Sequence, residues 1–193
     1  MTSKDNLLNE HNKNATENLL IFRTFVQILK RNTMKELKIE IGIRAFRYEE
    51  LNETDRMLIE AAKEATHRSY APYSHFLVGA AALLADGTVV TGSNQENAAY
   101  PSGTCAERTA LFYANSQHPD QPVMTLAIAA RSESGYLEAP IPPCGACRQV
   151  LFETEQRYQQ PMRILLYSLN DIYVIEGTKD LLPLSFGKDF LKK

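Results

Sequence analysis

Residues 76–94 read FLVGAAALLADGTVVTGSN, two apolar runs on either side of Asp86-Gly87. An Asp-Gly pair between such runs is a strong hairpin signal, because the tight turn needs backbone with φ > 0. A sheet therefore starts here. VMTLAIAAR (123–131) is an unbroken apolar run, which predicts a strand covered on both faces. MRILLYSL (162–169) and IYVIEGT (172–178) predict two more strands. The segments between them have helical spacing. TDRMLIEAAKEATHRSY (54–70) predicts a helix with Thr54 as N-cap and Asp55 in the first turn. Its apolar face is Met57, Leu58, Ala61, Ala62 and Ala65, and APYSH ends it. A second helix is predicted over roughly 104–117. A third follows in CGACRQVLFETEQRY (144–158), where Pro142-Pro143 sets the start. Strands alternating with helices give the α/β class, a mixed sheet with helices on its faces.

Composition narrows the function classes. The chain has 193 residues, 44% apolar and 23% charged, enough for one domain with its own core. Its formal net charge is −2, which disfavours a nucleic-acid backbone as partner. No run approaches the ~18 apolar residues that span a bilayer, so no membrane partner is expected. The three cysteines are Cys105, Cys144 and Cys147. An odd number with one C-x-x-C argues against a secreted disulfide framework and suits the reducing cytoplasm. Residues 1–33 differ from the rest. Their first half is polar and reads as a disordered tail. LLIFRTFVQILKR (19–31) spaces Leu19, Phe22, Val26 and Leu29 like a short helix. Lys30-Arg31-Asn32 is the wrong flank for a signal-peptide cleavage site. Met34 would serve as a start, so the domain is expected over 34–193, with 1–33 as an N-terminal extension.

The chemistry-bearing stretches are PSGTCAERTALFYANS (101–116) and PIPPCGACRQVLF (140–152). Taken alone, Cys105 reads equally well as a small buried thiol beside a solvated helix start. A lone C-x-x-C is also ambiguous. Redox chemistry asks for two thiols free to oxidise, and a closed zinc site asks for a fourth ligand. The four histidines, His11, His67, His75 and His118, lie outside both motifs. Three sulfurs with one position open is the ligand count of a catalytic zinc site. Cys105 and Glu107 are two apart, so they converge only in an irregular first helical turn, where N–H groups are unpaired. Helix N-termini also favour thiolate, the form that binds metal.

With the motifs assembled, the chain resembles the cytidine deaminases of the small, all-cysteine type. The resemblance runs from about Tyr70 to Phe190. It rests on YAPYSHFLVGAAAL, NQENAAYPSGTCAERTA, PCGACRQVL and LLPLSFGKDFL, in that order. The general signature of zinc deaminases is a His or Cys, one residue, Glu, then P-C-x-x-C. Here it reads Cys105-Ala106-Glu107 and Pro143-Cys144-Gly145-Ala146-Cys147. Leu77 stands where a proline is expected, Ala99 where a cysteine is common, and Thr104 precedes the first motif cysteine.

The resemblance implies a three-layer α/β/α fold. It implies one Zn²⁺ per chain on Cys105, Cys144 and Cys147, with Glu107 as the proton shuttle. The implied reaction is hydrolytic deamination of cytidine and 2′-deoxycytidine to uridine and 2′-deoxyuridine, with ammonia released, in cytoplasmic pyrimidine salvage. Asn94 and Glu96 are expected to grip the ribose 3′-OH, Phe76 to pack beside the pyrimidine, and Ala106 to offer backbone groups to the base. Tyr100 falls near the 5′-OH at a subunit contact. Phe186 is expected to reach a neighbouring subunit's site in a homotetramer. Arg108 is expected to hydrogen-bond a cysteine sulfur, while Arg148 reads as a surface charge. A blasticidin-type deaminase is the nearest rival. A deaminase of dCMP wants cations for a phosphate, and one acting on RNA or DNA wants a basic groove. A zinc-stapled interaction module leaves Glu107 without a task.

Overall fold

Gly87 adopts φ +87°, and the turn it makes with Asp86 joins β2 (Leu77–Leu84) to β3 (Val89–Ser93), as the sequence predicts. The computed structural model describes residues 35–191, so the expectation for residues 1–33 lies outside the described residues. A compact unit runs over Glu40–Lys193. Within it, β1 (Arg44–Phe46), β4 (Val123–Ser132), β5 (Gly135–Tyr136), β6 (Arg163–Leu166) and β7 (Ile172–Glu176) complete one sheet. Its order is β1-β7-β6-β4-β2-β3, with β5 hairpinned on β4. β4 and β6 are parallel and every other pair is antiparallel, so the sheet is mixed.

Three helices cover it: α1 (Glu53–Ala65), α2 (Ala106–Gln117) and α3 (Gly145–Tyr158). Strand alternation divides the core between them. Leu58, Ile59 and Ala62 of α1 pack on Ala81, Ala127, Ala129, Leu165 and Val174. Ala110, Leu111, Cys147 and Leu151 of α2 and α3 pack on the other face, against Ala80, Ala82, Leu126, Ile128 and Ile164. The result is the three-layer α/β/α sandwich.

Two details of α1 differ from expectation. Its N-cap is Asn52, not Thr54, because the Asn52 amide oxygen accepts the Asp55 N–H at 2.8 Å and asparagine outranks threonine in this role. Its buried face holds Asp55 and Ile59, whereas Met57 points to solvent. Asp55 tolerates burial because Arg163 of β6 pairs with it.

The topology also places the site. β3 and β4 are each antiparallel to β2, so they run the same way and end at the same edge of the sheet. The chain leaves β3 to begin α2, and leaves β4 through the short hairpin strand β5 to begin α3. Both helices therefore start above the carboxyl ends of the strands, the usual place for ligands in α/β sheets. β2 starts at that edge too, which brings Phe76 to it.

Candidate active site

Cys105 is the N-cap of α2 and Cys144 the N-cap of α3, both with extended backbone. Neither side chain caps its helix, so both sulfurs are free to turn elsewhere. They turn to each other and to Cys147, one turn further along α3 and fully buried. The Cys105 and Cys144 Sγ atoms lie 3.9 Å apart and those of Cys144 and Cys147 3.5 Å apart. All three fall within 4.8 Å of one another. Tetrahedral sulfurs bound at ~2.3 Å from zinc stand about 3.8 Å apart, so the spacing of this cluster suits that ion.

The charges around the cluster suit it as well. Cys105 is lowered to about 5, chiefly by its hydrogen bond with Cys147, and burial is outweighed by that bond and by Arg108. Cys147 is pushed up by the same bond to Cys105, then by burial and the negative charge of Glu107. The Arg108 guanidinium lies 3.9 Å from the Cys105 sulfur and 3.5 Å from the Gly103 carbonyl, with its Nε buried and unpaired. Burial opposes the charge of Arg108, but the Cys105 hydrogen bond and the electrostatic pull of Cys105, Cys147 and Cys144 together outweigh it and strengthen the cation. A half-buried cation beside three sulfurs fits a cluster that carries net negative charge once metal is bound. Arg148 is no plain surface charge: it donates to the Pro143 and Leu181 carbonyls, both at 2.9 Å, and braces the loop ahead of Cys144.

Glu107, the second residue of α2, is only 4% exposed. Burial pushes its carboxyl up and the Cys105 thiolate adds to the shift, while a hydrogen bond with Cys147 opposes it. Beside the sulfurs opens a cavity of about 250 Å³ lined by Asn94, Glu96, Tyr100, Thr104, Cys105 and Arg108, among others. Tyr100 stands 78% exposed at its rim, edge-on to Tyr73 with ring centroids 6.4 Å apart. Ala106 is buried under the first turn of α2.

The polar atoms of Asn94 and Glu96 are already engaged. The Asn94 amide accepts the Val78 N–H at 2.8 Å and donates to the Phe76 carbonyl at 2.9 Å. The Glu96 carboxylate accepts the Tyr73 N–H at 2.9 Å, the Ser74 N–H at 3.3 Å and the Ser74 hydroxyl. Ser74 in turn accepts the Phe76 N–H at 3.1 Å, across His75 at φ +56°. The two residues expected at the ribose therefore also hold the turn that carries Phe76. Ser74 and Tyr73 are the partners the sequence reading missed; a polar run just before a strand was the available signal. Phe186 is not among the residues lining the cavity. It is 59% exposed and stacked on Phe190, centroids 5.9 Å apart.

Comparison with known proteins places this geometry. Residues 52–159 match the family described as the cytidine and deoxycytidylate deaminase zinc-binding region. The chain is 41% identical over 134 residues to the cytidine deaminase of Sporosarcina psychrophila, covering 69% of this chain and 92% of that one. The chain belongs to the cytidine and deoxycytidylate deaminase family. A further member, the cytidine deaminase of Halalkalibacterium halodurans, is 49% identical over 98 residues, 51% of this chain and 70% of that one. The crystal structure of cytidine deaminase from Burkholderia pseudomallei superposes with a TM-score of 0.59 at 40% identity, over 70% of this chain and all of that one. Cys105, Glu107, Cys144 and Cys147 all lie in the deaminase zinc-binding region, and the enzyme carries one Zn²⁺ per chain. Phe186 lies beyond the matched residues.

Proposed function

We propose that the protein hydrolyses cytidine and 2′-deoxycytidine to uridine and 2′-deoxyuridine with release of ammonia, serving pyrimidine salvage in the cytoplasm. The observation that carries the reading is the meeting of three sulfurs from two helix starts with the buried Glu107, beside a cavity of about 250 Å³ that Cys105, Asn94 and Glu96 line. The three free cysteines support a reducing compartment. Among the described residues no helix is long and apolar enough to cross a membrane.

Cys105, Cys144 and Cys147 hold the zinc in this reading, and the ion supplies a Lewis acid that makes water acidic near neutral pH. Arg108 and the two helix N-termini offset the negative charge of three thiolates. Glu107 takes the proton of the attacking water and delivers it to ring N3 of the pyrimidine. It then passes the remaining hydroxyl proton to the 4-amino group, so that the C4–N bond breaks, ammonia leaves and the C4 carbonyl forms. Burial raises its carboxyl toward the working pH, which suits a group that must both accept and return a proton. Phe76 packs beside the base and Ala106 offers it backbone groups. Asn94 and Glu96 face the ribose and Tyr100 the 5′ end.

We further propose a homotetramer in which Phe186 completes a neighbour's site. Leu184, Phe186 and Phe190 are 79%, 59% and 74% exposed in a single chain, an apolar tail that another subunit would cover. The decisive experiment measures zinc content and ammonia release together. The purified protein should contain one zinc per chain and deaminate cytidine, while Cys144→Ser should lose both. Full zinc retention in Cys144→Ser refutes the ligand set. Zinc without turnover refutes the deaminase reading. Mixing Glu107→Ala with Phe186→Ala chains should restore activity above the sum of the two, and a monomeric enzyme would refute the shared site.

A further inference from the structure

Gly92 lies in β3, directly under the first turn of α2. A Cβ placed on it would stand 2.4 Å from the Ala110 nitrogen and 2.6 Å from the Ala106 carbonyl oxygen. Both are backbone atoms and cannot swing aside. Ala106 and Ala110, one turn apart and fully buried, keep the helix side of this contact equally bare. The turn they bracket carries Glu107 and Arg108 and follows Cys105. Cys144 and Cys147 stand on α3, fixed separately by Arg148 and by Leu151 in the core.

We propose that Gly92 is a positioning residue of the metal centre: its missing side chain sets the height of α2 over the sheet, and so brings Cys105 and Glu107 into register with the sulfurs of α3. This rests on the reading of the three cysteines as zinc ligands. Restoring ordinary contact around a new Cβ needs the turn to move by roughly 1 Å. Metal sites tolerate errors of about ±0.2 Å in ligand distance, so a shift of that size unseats one sulfur of three.

The fold contains its own control. Gly79 of β2 makes the same close approach on the opposite face, where a Cβ would meet the Ala62 carbonyl at 2.1 Å and the Thr66 nitrogen at 2.7 Å. That helix, α1, bears no cysteine. The test compares Gly92→Ala with Gly79→Ala in the full chain. The readouts are zinc affinity by chelator competition and the absorption spectrum of the Co²⁺-substituted protein. Gly92→Ala should weaken zinc binding by roughly 10- to 100-fold, as loss of a supporting shell does elsewhere, and alter the cobalt spectrum. Gly79→Ala should lower thermal stability yet keep both readouts at wild-type values. Should Gly92→Ala not fold, Ala110→Ser crowds the same contact from the helix side by one atom and should give a smaller weakening. Unchanged metal binding in folded Gly92→Ala or Ala110→Ser overturns the proposal, as does an equal change in Gly79→Ala. Neither readout uses turnover, so failure here is separable from failure of the deaminase reading.

Discussion

Asp55 and Glu107 are the carboxylates buried among the described residues, 3% and 4% exposed, one on each face of the sheet and each in the first turn of a helix. Their surroundings are opposite. Asp55 pairs with the Arg163 guanidinium and accepts from the Asn52 amide at 2.9 Å. Arg163 passes the contact on to Glu176, which meets Arg44, so the charge ends in a surface network. Glu107 makes no ion pair among the described residues, and its close neighbours are sulfurs. A buried charge with a cation is a structural fastening, whereas one without is held ready to change its protonation. The same helix-start geometry thus serves stability on one face and chemistry on the other.

The comparison breaks most sharply at Glu107. Glu107→Gln keeps size and shape but cannot carry a proton. Turnover should fall by ~10²–10⁴-fold, toward the upper end because one group serves several transfers. Zinc content should stay at one per chain. Thermal stability should not drop, because the change removes a buried charge that makes no direct ion pair among the described residues. Steady-state ammonia release and calorimetry on the same preparation decide it. Near-normal turnover, or a collapse in stability, would place Glu107 with Asp55 as a structural carboxylate.

On the other face the expected result is reversed. Arg163→Met leaves Asp55 buried without its cation, a lesion worth about 3 kcal/mol, at the low end of its range because Arg163 is itself 27% exposed. Turnover per folded molecule should stay at the wild-type value. Adding Asp55→Asn should return part of the lost stability, since the stranded charge is then gone. Denaturant midpoints of the two variants give the answer. An Arg163→Met enzyme that is fully stable but catalytically impaired would mean that the two faces are coupled.

How much of this was legible in the sequence depends on how local each signal is. The Asp86-Gly87 turn, the helix starts at Cys105 and Cys144 and the apolar run of β4 are written within a few residues, and all are found in place. The three motif cysteines are also found together, although each motif read alone is ambiguous and only their combination points to a metal site. Non-local partners were not legible. Arg163 is 108 residues from Asp55, so nothing near Asp55 announces that it will be buried rather than Met57. β1 and β5 are three and two residues long, too short for alternation to register. Arg148 reads as a surface charge because the Leu181 carbonyl it braces comes 33 residues later. Asn94 and Glu96 were read from local pattern as ribose contacts, but their bonds to residues 73–78 need the antiparallel pairing of β2 and β3.

Glu96 extends the comparison to a third carboxylate, placed between the two extremes. Its partners are neither a cation nor sulfur but hydrogen-bond donors of one turn, with the Ser74 hydroxyl first and the Tyr73 N–H next in holding its carboxyl below the usual range. A depressed carboxylate contributes its tether above the pKa of the free side chain and loses it as pH falls through the folded value. Ser74→Ala removes the strongest donor and the acceptor of the Phe76 N–H together, so His75 and Phe76 lose one fastening on each side. One lost hydrogen bond of this kind corresponds to roughly a 2- to 10-fold effect. It should appear in KM for cytidine rather than in kcat, because the turn orients the base and leaves Glu107 untouched. The acid limb of kcat/KM should also move to higher pH as Glu96 returns toward its ordinary value. Ser74→Thr, which keeps the hydroxyl, should restore both. A fall in kcat with unchanged KM, or a variant indistinguishable from wild type, would show that Glu96 meets the nucleoside without help from this turn.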